Sequence, residues 1–214
     1  SPLVTGTAGW KMDAGHFAER HGLVIIIALG ESLVALGLGA SGQELSPGIV
    51  VAAGLGVVVV CAMWWLYFDV VAVAAERNLA SLTGRAQAAL ARDAYSYLHL
   101  FLVFGVVLVA LGLKKTLLHI DEPLDTVPAV ALFGGLSVYL GAHIAFRWRN
   151  IRTINEARLF TAVLLTALIP VGLHVPALVS LALMATAVVG LVAFEALRWG
   201  DARHQIRHHS GEAS

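Results

Sequence analysis

Residues 22–40 read GLVIIIALGESLVALGLGA, and every position in that run except Glu31 is apolar or small. A run of about 19 residues, rising about 1.5 Å per residue, crosses the ~30 Å hydrocarbon layer of a bilayer. Glu31 then falls near the midplane, where an ionisable group costs at least ~2.5 kcal/mol unless it has a partner or water. Such a residue marks a functional site, or else a structural carboxylate that links helices. The expectation is a carboxylate that faces neighbouring helices and not the hydrocarbon tails.

Composition agrees with a membrane protein. Hydrophobic residues make up 58% of the chain, charged residues 13%, and the mean hydropathy is +0.81. Soluble domains carry about 25% charge, so much of the usual polar surface is missing. Cys61 is the only cysteine, which excludes an internal disulfide and leaves the redox compartment open. The first 20 residues lack an apolar core, so no cleavable signal peptide is expected.

Five further runs have spanning character: 48–68, with a possible extension to 75, then 95–113, 128–146, 159–173 and 177–197. The link His174-Val175-Pro176 between the last two predicts a tight hairpin. The expected architecture is all-α, a polytopic bundle of six transmembrane helices over 22–198. An interfacial segment over 1–21 precedes it, and a disordered cytoplasmic tail over 199–214 follows.

Charge asymmetry orients this bundle, because loops rich in Lys and Arg stay cytoplasmic. With six spans, Lys11, Arg20, Arg77, Arg85, Arg92, Arg147, Arg149, Arg152, Arg158, Arg198, Arg203 and Arg207 share one side. Only Lys114 and Lys115 fall on the other. Both termini are therefore expected in the cytoplasm. Trp64, Trp65, Tyr67 and Phe68 end the second span, and Trp148 and Trp199 end the fourth and sixth. They read as a headgroup belt, with an aromatic binding cage as the alternative. The 76–94 loop reads as a partly helical segment at the inner surface.

The polar residues of the spans form a candidate ion or proton pathway: Glu31, Arg20, Glu19, Asp69, His99, His143 and Tyr95. His99 and His143 lie roughly 6–9 Å and 6 Å from the cytoplasmic face at ~1.5 Å per residue. Glu31 leans towards that face and His143 towards the midplane, so the two are expected to meet, directly or through water. Arg20 precedes Glu31 by three turns plus about 20°, which puts both on one side of the helix. Arg20 is either the mouth of a polar path or a side chain snorkelling to headgroups. Tyr95 stands four residues before His99 on the same face. Small residues (Gly30 and Gly37; Ser137 and Gly141) predict close helix contacts. His204 and His208 share a helix face, but HQIRH lacks the Glu of a zinc hydrolase signature, so no metal site is expected. No cofactor is expected either.

HFAERHGLVIIIALGES (16–32) resembles the signature of the bacterial low temperature requirement protein A family. The resemblance extends to WWLYFD (64–69), the stretch from YLHL to GLK (97–114) and GAHIAFRWRN (141–150). It implies a polytopic inner-membrane protein, and it points to Phe17, Glu19, Arg20, Gly22, Gly30, Glu31, Asp69 and His143. Family members are longer, and their first half carries a Phe-rich motif close to ELFFDLVFVFA that is absent here. The chain thus resembles the C-terminal half, as a fragment or as a shorter protein. A site shared between halves then requires a missing N-terminal half or a homodimer.

The resemblance brings no established biochemical activity. The leading reading is a permease or channel-like protein with an intramembrane carboxylate, moving an unknown small solute or ion. The alternative is a non-transporting membrane protein for cold or stress adaptation that binds membrane lipids or partners. An enzyme is not expected, because no Ser/His/Asp arrangement, metal-ligand set or phosphate-binding loop stands out. Nucleic acid is not an expected partner, because the basic groups are spread over separate loops next to lipid.

Overall fold

The computed structural model describes residues 14–69 and 71–198. Helices dominate: α1 (Ala14–Ala40), α2 (Pro47–Phe68), α3 (Val71–Ser81), α4 (Gly84–Leu118), α5 (Thr126–Asn150), α6 (Glu156–Gly172) and α7 (Ala177–Arg198). Among the described residues there is no strand, only an isolated bridge between Pro123 and Pro176. Five helices, α1, α2, α4, α5 and α7, are long and apolar enough to cross a membrane. The chain is a helical membrane protein. The fifth expected span, α6, has 17 residues, or roughly 25 Å at 1.5 Å per residue.

Local chemistry sets these boundaries. Ser46 caps α2 by accepting the Ile49 N–H, with Pro47 in the first turn, where its missing N–H is harmless. Asn155 caps α6 by accepting from Ala157 and Arg158. Pro170 falls in the last turn of α6, and the predicted hairpin follows at 173–176. The 76–94 stretch is helix, turn and helix, and its second helix runs without a break into the third span. That span therefore starts well before Tyr95. Within it, Ala91–Leu98 winds as π-helix, as does Val130–Gly134 in α5.

The spanning helices and α6 pack in the cyclic order α1, α4, α5, α6, α7, α2. Val59, Met63, Leu66, Val106, Val109, Leu136, Met184 and Val188 fill the interior, each fully buried. At one end the loops 119–125 and 173–176 are tied together, and Gln43 of the loop 41–46 donates its Nε2 to Leu118 O at 3.3 Å. Leu124 N–H donates to Gly172 O, Ala177 N–H to Glu122 O and Leu178 N–H to Ile120 O. The other end carries the arginines and α3, which is pinned by Asn78 Nδ2 donating to Asn150 O at 3.0 Å.

Backbones approach closely between α4 and α5. A Cβ on Gly112 would stand 2.6 Å from Leu132 Cα, and one on Gly105 would stand 2.8 Å from Gly135 O. The expected small-residue contacts fall elsewhere. Gly30, Gly37 and Gly141 have nothing within 4 Å of a built Cβ. Ser137 does bridge helices, donating to Ala162 O of α6 at 3.0 Å. Trp64 and Trp148 are exposed as a belt requires, but Tyr67, assigned to that belt, is 3% exposed and points inward. Lys11, Trp199, Arg203, Arg207, His204, His208 and the tail from 199 lie outside the described residues.

Candidate functional site

The arginine-rich half of the bundle contains a continuous chain of imidazole and phenol rings. His99, near the middle of α4, is 4% exposed, and its Nδ1 lies 3.3 Å from Ala94 O. A carbonyl only accepts, so Nδ1 carries the proton in the neutral ring and Nε2 is left as acceptor. Tyr67 of α2 donates its hydroxyl to that Nε2 at 2.7 Å. Tyr95 stacks on His99 with centroids 5.5 Å apart and planes within 9°.

The chain continues in two directions. Towards α1, the His21 ring meets that of His99 at 5.1 Å. Its Nδ1 is 2.9 Å from Phe17 O, and the residue is partly exposed near the arginine-rich end. Towards α5, the Tyr67 ring lies 6.0 Å from that of His143. His143 is 1% exposed and packs edge-on against Tyr139, whose hydroxyl donates to Met63 O at 2.7 Å.

Both ring nitrogens of His143 and the hydroxyl of Tyr95 are buried without a hydrogen-bond partner among the described residues. Buried polar atoms are nearly always partnered, so these three stand out from most of the interior.

Beyond His143 lies a buried ion pair. Arg158 of α6 grips Glu195 of α7 with two bonds of 2.8 Å, and its guanidinium also donates to Leu66 O at 3.3 Å. Asn155 donates to the same carboxylate at 2.7 Å. Only 8% and 12% of the two charged side chains is exposed. Arg158 and His99 lie close enough to act on His143 electrostatically. The sequence His21, His99, Tyr67, His143, Arg158, Glu195 thus takes one residue from each of α1, α4, α2, α5, α6 and α7.

The candidates read from sequence separate into two groups. His99, His143 and Tyr95 come together, with Tyr67 as the link between the two histidines. Glu31 does not join them. It is exposed on the outer surface of α1, so the expected meeting with His143 does not occur. The reason is helical phase: Gly22, Ile25, Leu29, Ser32, Leu36 and Gly39 form the buried face, and Glu31 falls outside that stripe. Arg20 is on the exposed side with Glu31, and Glu19 is exposed beside His16 at 3.7 Å. Asp69 is the half-buried C-cap of α2. Among the described residues no group of three or more His, Cys, Asp or Glu could hold a metal ion.

Residues 1–193 match the family model described as bacterial low temperature requirement A protein. An uncharacterized protein of Rhizobium meliloti (strain 1021) is 30% identical over 193 residues, which is 87% of this chain and 46% of that protein. The chain spans about half the length of that curated relative. No solved structure matches it.

Proposed function

We propose that this chain, which belongs to the bacterial low temperature requirement A family, is a proton-handling permease of the bacterial inner membrane. In this reading it makes six passes, with both termini cytoplasmic. Support for six comes from the loops 41–46, 119–125 and 173–176 sharing one end, so that α6 runs from the arginine-rich end to the opposite one. The arginine-rich end then faces the cytoplasm.

The observation that carries the reading is the 2.7 Å bond between Tyr67 and His99, inside a buried chain that His21 opens and His143 closes. A proton arriving at His99 Nε2 reverses that bond. Tyr67 then accepts, and handing its own proton on to a nitrogen of His143, with which it shares no hydrogen bond in this conformation, requires the two rings to close up. The half beyond is filled by apolar side chains such as Val109, Leu113, Leu132 and Phe133. A standing channel is therefore disfavoured, and passage of a small solute or ion needs helix movement, as in a carrier. The protein is accordingly read as a transporter and not as an enzyme.

The test is proton flux into proteoliposomes, followed with an entrapped pH dye, for wild type, His99→Gln and His143→Gln. Loss of flux in folded variants supports the relay. Wild-type flux in both removes it. The second reading, a non-transporting lipid-binding protein, predicts no flux from any variant. A basic groove between α6 and α7 favours it.

A further inference from the structure

The groove lies at the arginine-rich end of the α6–α7 hairpin, is lined by none of the ring-chain residues, and has a volume of about 700 Å³. Its origin is sequence. Ala157, Ala187 and Gly190 line it, and these small side chains leave a trough between two helices whose neighbouring residues are large. A Cβ built on Gly190 meets nothing within 4 Å. Phe160 and Phe194 also line the trough and are 69% and 46% exposed. Leu164 extends the apolar lining eight residues into α6 from Glu156, a depth of roughly 12 Å at 1.5 Å per residue.

The mouth is charged. Arg147 and Arg198 line it, and Glu156 is the one acid among the lining residues, leaving a net positive charge. Arg147 is held by its Nε donating to Thr153 Oγ1 at 2.9 Å, and it forms no ion pair within the described residues. The Arg198 guanidinium lies over the Phe194 ring at 5.6 Å. Asn155, at the same end, is held by its bond to Glu195.

We propose that this groove is a binding site for an anionic phospholipid, with the phosphodiester between Arg147 and Arg198 and an acyl chain along Phe160, Leu164 and Gly190. Two guanidinium groups at headgroup depth, above an apolar trough open to the membrane, match the two ends of such a molecule and no soluble anion. The assignment is independent of the proton relay, with which it shares no residue.

The experiment counts lipids retained by native mass spectrometry after reconstitution with phosphatidylglycerol, phosphatidylcholine or inorganic phosphate alone. Phosphatidylglycerol is expected to stay bound and to raise the melting temperature, while phosphatidylcholine and phosphate do neither. Combining Arg147→Gln with Arg198→Gln should weaken phosphatidylglycerol binding roughly tenfold or more. Gly190→Leu should weaken it comparably by filling the trough with both charges intact, and it decides the matter if the double variant does not fold. Arg85→Gln, an exposed charge elsewhere at the same end, should leave it unchanged. Equal loss in Arg85→Gln, retention in Gly190→Leu, or stabilisation by phosphate equal to that by lipid overturns the assignment.

Discussion

The hydroxyl of Tyr67 lies 2.7 Å from Nε2 of His99, and both side chains are sealed inside the bundle. The pair joins α2 to α4, which have no sequence proximity to bring them together. Tyr67→Phe keeps the ring and strands the imidazole acceptor. We expect a loss of about 1–3 kcal/mol in stability, measured by thermal unfolding in detergent. Proton uptake should fall in the same variant. A cycle with His99→Leu should show non-additivity, and strict additivity would mean that the bond contributes nothing.

Breaking the Arg158–Glu195 pair from one side should be the most damaging change. Glu195→Gln leaves a guanidinium that is almost fully enclosed, at an expected cost of about 3–5 kcal/mol. Replacing both residues by Leu should cost less than Glu195→Gln alone, because no orphaned charge remains. Fluorescence-detected size exclusion after heating reports this order, and the reverse order would refute the assignment of a desolvated pair.

Glycines at the α4–α5 contact and glycines on the outer face of α1 should respond in opposite ways. Gly112→Ala pushes a methyl into Leu132 backbone, and overpacking of this kind costs about 1–3 kcal/mol. Gly30→Ala meets open space and should be neutral or stabilising by up to about 1 kcal/mol through helix propensity. Melting temperatures of the two single variants make the comparison.

Glu31 supplies the fourth expectation. With no partner among the described residues at hydrocarbon depth, its replacement by Leu should ease membrane insertion of α1 and leave proton uptake intact. An insertion assay with a glycosylation reporter measures the first, and the proteoliposome dye the second. Abolished uptake in a well-inserted variant would return Glu31 to the pathway.

Much of this architecture was legible in the chain. Apolar runs gave the long helices, five of which can cross a membrane, His174-Val175-Pro176 gave the hairpin, and the basic residues marked the helix ends that share one end of the bundle. The facing of α1 was not legible. Almost everything in 22–40 is apolar, so no polar stripe reveals which side turns inward. Tyr67 was hidden by company: in WWLYF the exposed Trp64 suggests a headgroup position, and only helical phase turns Tyr67 inward with Met63. Glu195 was missed because it sits among the flanking charges of the last span. Folding the hairpin about 173–176 would have set it within about one turn of Arg158. The sequence therefore named His99 and His143 but neither the phenol between them nor the ion pair behind.

The π-wound stretch Ala91–Leu98 leads directly into His99. Such a stretch behaves as one surplus amino acid slipped into an otherwise regular rod. Cutting that surplus out leaves α4 long enough to span and closes the wide turns to ordinary ones, so the helix on either side keeps its phase. What changes is confined to the stretch itself, where Tyr95 stacks on His99 and Asp93 meets Arg149 at 3.1 Å. A single codon deletion there reshapes the entrance of the bundle and leaves the rest of α4 facing as before.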